Sequence, residues 1–363
     1  MKWRGRRTSS NIRSTRGSSG RGTSGFGAGF GGGRGGPRLP GGMIGGGGGI
    51  LGLIVLVIFL FSQGGLGILG PQEEDTGQRG TGGPGQSFAT DEAGDPLNEA
   101  EMEQFLAVVL ADTEDVWHSV FRDHGARYEE PTLHTFTDYV QSGCGGQSRQ
   151  VGPFYCPADA TIYIDMTFYA QLRNEFRASG DYTMAYVLAH EVGHHVQHLL
   201  GVLENVQAQQ RNMSEAERNE MNVRVELQAD YFAGVVARWQ EEAGYLADGD
   251  IQEAFTAAEA IGDDTIQRRS RGYVVEESFT HGTSEQRQRW YERGYEYGDL
   301  EHGDTFSIPY SQLFSYEDVN ASVSITSPLD VSNIFTLAAS MIAQDGLPSF
   351  GNVGDPGFIT TTP

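Results

Sequence analysis

His190-Glu191-Val192-Gly193-His194 carries the strongest chemical signal in this chain of 363 residues. On a helix, residues four apart share a face. The two imidazoles can then bind one Zn²⁺, at about 2.0–2.1 Å each. Glu191 lies beside them, within reach of a water on the metal. Zinc brings the pKa of such a water down towards ~7, the carboxylate takes its proton, and the hydroxide attacks a polarised carbonyl. The HExxH spacing therefore points to metal-assisted hydrolysis of an amide bond. The preceding Tyr186-Val187-Leu188-Ala189 is apolar and compatible with a helix. Gly193 weakens a helix by ~1 kcal/mol and so calls for a reason in packing or access.

Two imidazoles do not complete a catalytic zinc site, which usually takes three protein ligands and a water. No further histidine follows at the spacing of an extended HExxHxxGxxH motif, because position 200 is Leu and position 201 is Gly. His195 and His198 point to other faces or lie a turn on, and read as structural or surface residues. The third ligand is expected from Glu226, in Glu226-Leu227-Gln228-Ala229-Asp230. Glu226 and Asp230 share a helix face, so one can bind zinc while the other accepts a hydrogen bond from a ligand histidine and fixes its tautomer. The apolar neighbours Val223, Val225, Ala229, Phe232 and Ala233 argue that this face is buried. A donor for the developing oxyanion is also needed. The candidates are His281, Tyr231 and Arg287, of which His281 stands just before a helix start.

The elements that must hold these residues are mostly helical. Asp181 is an expected N-cap for a helix that runs to Leu200 and stops at Gly201. A second begins at Ser214, which forms a capping box with Glu217, and runs to about Ala243. Shorter helices are expected at 250–261 and from Thr283, where Gln286 completes another capping box, and one more at 330–344. Residues 98–124 read as two helices broken near Asp112-Thr113, with Met102, Phe105, Leu106, Val109, Leu110, Val116, Trp117, Val120 and Phe121 on the apolar side. Thr135–Val140 and Thr161–Asp165 are strand candidates. Between them lie the two cysteines of the chain, Cys144 and Cys156. They are too few for a cysteine zinc site, but in an oxidising compartment they can close a short loop as a disulfide.

Charge and composition set the rest of the organisation. Residues 1–42 hold nine Lys/Arg and no Asp or Glu among many Gly and Ser, and read as a disordered basic tail. Residues 43–69 are free of charge and long enough to span a membrane as an uncleaved anchor, with the apolar region of a signal peptide as the rival reading. A polar linker follows over 70–96, then a folded domain from Leu97 to about 306, then a poorly patterned extension over 307–363. Basic residues before the apolar segment and acidic ones after it place the N-terminus in the cytoplasm and the domain outside. Past residue 42 the chain carries 16 basic against 48 acidic residues, which argues against nucleic acid as a partner.

At these residues the chain resembles the neutral zinc metallopeptidase family of bacteria. The resemblance runs through Cys144-Gly145, Gly152–Pro157, Ala185–Gln197, Arg224–Asp230, Ala233-Gly234, His281–Arg287 with Trp290, and Asp304–Phe306. It implies a gluzincin-like helical peptidase domain that takes peptide or protein substrates. His190 and His194 would be ligands, Glu191 the base and Glu226 the third ligand. A further cysteine expected before Asp304 is replaced by His302-Gly303, so a second disulfide is not supported. The expected fold is mainly α with a small β region, a zincin-like domain behind a single N-terminal transmembrane helix. The expected activity is peptide hydrolysis. The rival readings are a membrane-tethered zinc-binding scaffold without turnover and a zinc hydrolase of non-peptide amides.

Overall fold

Reciprocal caps start three of the long helices. Asn98 with Glu101, Ser214 with Glu217 and Thr283 with Gln286 each exchange side-chain and backbone hydrogen bonds across the first turn. The computed structural model describes residues 1–15, 97–148, 151–175, 177–178 and 180–314. Its helices are α1 (Glu99–Asp123), α2 (Phe168–Glu175), α3 (Asp181–Leu199), α4 (Val202–Gln210), α5 (Glu215–Glu242), α6 (Asp250–Ala260), α7 (Asp263–Arg271) and α8 (Ser284–Tyr297). A four-stranded sheet has the order β1-β2-β6-β5, from Ile12–Thr15, Thr132–Phe136, Thr161–Asp165 and Phe154–Cys156. β1, β2 and β6 run parallel, and β5 is the antiparallel edge. β3 (Tyr139–Ser142) and β4 (Gly145–Ser148) form a separate hairpin. The Cys144–Cys156 disulfide ties this hairpin to β5, as the sequence suggests.

α3 lies at the centre, packed on α1, α5 and α6, and α5 in turn packs along α8. Two glycine contacts let the backbones come that close. A Cβ on Gly193 of α3 would stand 2.9 Å from the Ala229 carbonyl oxygen and 3.0 Å from its Cα on α5. This is the packing reason that Gly193 calls for. Between α5 and α8, a Cβ on Gly234 would overlap the Tyr291 carbonyl, and one on Gly294 would overlap the Tyr231 carbonyl. Phe105, Leu110, Trp117, Leu188, Val192, Val225, Phe232 and Tyr291 are among the side chains that fill the common core.

Several expectations are corrected. Residues 1–15 are an ordered part of the domain and not tail: Met1 and Trp3 are buried, and β1 pairs in parallel with β2. α1 is one unbroken helix through Asp112, Thr113 and Glu114, all of them buried. Asp112 takes Arg6, and Glu114 takes Arg7 and Ser9, so these polar residues mark a contact and not a break. The expected strand Thr135–Val140 is two strands, separated at Asp138, whose φ is 71°. Asp181 is the first helical residue, with Gly180 as the cap position. The domain also runs past 306, since Ile308 and Leu313 are buried and Arg224 donates to the Ile308 carbonyl at 2.8 Å. The anchor at 43–69, the linker at 70–96 and the helix at 330–344 lie outside the described residues. Among the described residues no helix is long and apolar enough to cross a membrane.

Replacing Gly234 by Ala should force α5 and α8 apart and destabilise the domain by about 1–3 kcal/mol or more. A urea midpoint equal to that of the parent protein would show that the two backbones do not meet there.

Candidate metal centre

The capping box at Ser214 and the glycine contact at Gly193 fix α5 against α3, and one carboxylate of α5 then faces two imidazoles of α3. Glu226 Oε2 lies 3.2 Å from His190 Nε2, and Glu226 Oε1 lies 3.6 Å from His194 Nε2. One donor atom from each of the three residues falls within 4.8 Å of the other two. All three side chains are buried. Two imidazole nitrogens and a carboxylate oxygen are a donor set that suits zinc and leaves a position open.

The far nitrogens of both imidazoles are already committed. His190 Nδ1 meets Asp230 Oδ1 at 2.8 Å, and His194 Nδ1 meets Gln197 Oε1 at 2.8 Å. Such partners hold Nδ1 protonated and turn the Nε2 lone pairs towards the shared point. Each partner is held in turn. Arg287 makes a two-point contact with Asp230, Nε to Oδ2 at 2.8 Å and Nη2 to Oδ1 at 3.0 Å, and the Tyr186 hydroxyl donates to Oδ1 at 2.6 Å. Gln197 donates to the Val225 carbonyl at 2.7 Å and to Gln228 Oε1 at 3.1 Å, and Gln228 donates to the Gly303 carbonyl at 2.9 Å.

Glu191 stands apart from this network. Its Oε2 is buried with no hydrogen-bond partner, while the Tyr155 backbone N–H of edge strand β5 donates to its carboxylate. A buried carboxylate oxygen without a partner has a place for a donor from outside the protein, such as a water or substrate N–H. Burial pushes its carboxyl group up to about 7, against the pull of His190.

The two imidazoles differ although they face the same carboxylate. Burial lowers His190, but Asp230 and Glu226 outweigh it, and the ring is raised to about 9. For His194 burial wins over Glu226, and the ring falls to about 4. The difference follows from their outer partners, a carboxylate for His190 and a neutral amide for His194. Burial opposes the charge of Glu226, but His194, His281 and His190 hold its carboxyl below the usual range.

The structure thus brings together His190, Glu191, His194, Glu226 and Asp230 as the sequence suggests. His281 is buried nearby. Its Nδ1 lies 3.0 Å from Thr280 Oγ1 and 3.3 Å from Asp263 Oδ1, and Asp263 also takes the backbone N–H groups of Thr280 and His281 at 2.6 Å each. Two other oxyanion candidates are spent elsewhere. Tyr231 donates to Asp299 at 3.0 Å, and the Arg287 guanidinium is committed to Asp230 and Tyr186. His195 and His198 are structural: the Tyr155 hydroxyl lies 2.9 Å and 2.6 Å from their Nδ1 atoms, and His195 Nε2 meets the Glu129 carbonyl at 2.6 Å. Sequence reasoning missed Gln197, Gln228, Tyr186 and Tyr155 as supports. The first could have been found as an amide three residues beyond a ligand histidine on one helix face.

Comparison with known proteins agrees with this geometry. A family model described as "Putative neutral zinc metallopeptidase" matches residues 1–306. The uncharacterized protein YpfJ of Escherichia coli K12 is 44% identical over 306 residues, covering 84% of this chain and 99% of the relative. The uncharacterized protein Rv2575 of Mycobacterium tuberculosis H37Rv is 41% identical over 219 residues, covering 57% of this chain and 73% of the relative. No solved structure is significantly similar to it. With a family match that takes in all of the described elements up to residue 306, the chain belongs to the neutral zinc metallopeptidase family.

Proposed function

We propose that the protein hydrolyses peptide bonds in a zinc-dependent reaction at the centre formed by His190, His194 and Glu226. The observation that carries this reading is the pairing of that three-residue donor set with Glu191, a buried carboxylate whose Oε2 has no partner in the protein. A bound Zn²⁺ would polarise the scissile carbonyl and make a water acidic enough to be deprotonated near neutral pH. Everything else falls to the side chains.

Glu191 acts as the general base. Its carboxyl group, raised to about 7 by burial, is poised to take a proton from the attacking water near neutral pH and to pass it to the leaving amine. The Tyr155 N–H holds one part of the carboxylate and leaves Oε2 for that exchange. Asp230 and Gln197 keep the two imidazoles in the tautomer that presents Nε2. His281, its Nδ1 engaged by Thr280 and Asp263, can turn Nε2 towards the developing oxyanion.

A Glu191→Gln protein should keep one zinc per chain and lose peptide cleavage by roughly 10²–10⁴-fold. Cleavage of a peptide library at the parent rate would remove Glu191 from the chemistry. Stoichiometric zinc in the parent with no cleavage of any peptide would favour a binding scaffold, and release of amides from envelope material alone would favour a non-peptide substrate.

With the metal chelated, stability should fall as pH rises above about 6.5. His190 is raised to about 9, so its contribution is full below the unfolded value of 6.5 and is lost as pH rises through 9. His194 and His195 are lowered to about 4, so the folded state favours their neutral rings and loses stability as pH falls from 6.5 through 4. Glu191, raised to about 7, adds to the alkaline loss, so thermal melts in chelator should fall from pH 6.5 to 9.5. A Tm that rises steadily from pH 6.5 to 9.5 would contradict the His190–Asp230 pairing.

A further inference from the structure

The first fifteen residues are built into the same body as the metal centre. The Met1 ammonium lies 3.0 Å from Asp181 Oδ1, at the start of α3, and 3.1 Å from Asp250 Oδ1, at the start of α6. Trp3 is 2% exposed and meets Phe105 of α1 edge-on at 5.8 Å. The backbone of Lys2 donates to the Tyr245 carbonyl at 2.8 Å. Arg7 pairs with Glu114 at 2.9 Å and with Asp115 at 2.8 Å, and Arg6 pairs with the buried Asp112. β1 then extends the sheet, with Ile12 to Thr15 in register against Leu133 to Phe136.

This docking is not a loose contact. Asp112 and Glu114 are buried in the middle of α1, where a carboxylate without a cationic or hydrogen-bonding partner is costly. Arg6, Arg7, Ser9 and Asn11 come from the N-terminal segment to meet them, and Gln240 of α5 gives Asp112 its other contact, at 2.7 Å. The segment supplies one parallel strand, an aromatic anchor and the cations that α1 requires.

From this docking we infer that residues 1–15 and the metal-site domain of residues 97–314 lie on the same side of any membrane the chain meets. The charge pattern around residues 43–69 points the other way, to a cytoplasmic N-terminus and an external domain. A single crossing between Thr15 and Leu97 would put β1 and β2 in different compartments, and the two could not pair. Arg4, Arg6 and Arg7 pair with carboxylates of α1, a role that accounts for their charge without a topology signal.

Two measurements on the full chain test this. The first places single cysteines at Ser10→Cys and Gln207→Cys, both at exposed positions, and treats cells with a membrane-impermeant maleimide before and after permeabilisation. The unsubstituted chain sets the background from Cys144 and Cys156. The two sites should label together, either both before permeabilisation or both only after it. Labelling of one site in intact cells, with the other reached only after permeabilisation, overturns the inference. The second measurement is the Tm of a Trp3→Ala protein, which should fall by roughly 5–15 °C if the segment is docked. A Tm equal to that of the parent would mean that residues 1–15 do not pack on the domain, and the inference would fall with it.

Discussion

The site depends on the approach of α3 to α5 at Gly193 and Ala229. Helix axes usually stand 8–10 Å apart, according to the side chains between them. A glycine against an alanine brings the pair to the short end of that range. Only then can the short reach of a glutamate from α5 put its carboxylate within 3.2 Å and 3.6 Å of two imidazoles on α3. A larger side chain at 193 would press on the Ala229 backbone three residues from Glu226 and one from Asp230, and both carboxylates would move together. The loss of helix propensity at Gly193 is small beside that constraint.

Around this contact the outer partners follow one pattern. Each imidazole has its second nitrogen fixed, and each fixing group is itself fixed from another element. Asp230 is held by Arg287 of α8 and Tyr186 of α3, and Gln197 by α5. The close crossing of α5 and α8 at Gly234 and Gly294 is what brings Arg287 to Asp230. Two pairs of tightly packed helices thus set the inner and outer layers of the centre, one layer each.

The parts legible in the sequence were those coded locally. His190, Glu191 and His194 share a helix, Glu226 and Asp230 share another, and the capping boxes at Ser214 and Thr283 are three-residue patterns. The parts that were not legible depend on partners far along the chain. Asp112-Thr113 looks like a helix break until Arg6 and Arg7, more than a hundred residues away, are placed against Asp112 and its neighbour Glu114. The same arginines look like tail until the carboxylates are known. β1 has no alternation of apolar side chains to announce it, because it is a sheet edge with mostly exposed residues. Asp138 is not legible as a strand break because a left-handed residue within an apparent strand leaves no periodic trace.

The charges of the centre balance in two ways, and this ties the metal to the protons. Glu226 and Asp230 are ionised, and Arg287 offsets one of them. At neutral pH a proton on His190, raised to about 9, offsets the other, while Glu191, raised to about 7, stands near half-ionisation. A divalent cation in the three-donor set requires a neutral His190 ring and favours an ionised Glu191, and the cluster is again close to neutral. Entry of a divalent metal would therefore be coupled to the loss of protons from His190 and Glu191. The same exchange would leave Glu191 as a carboxylate, the form in which it can accept a proton.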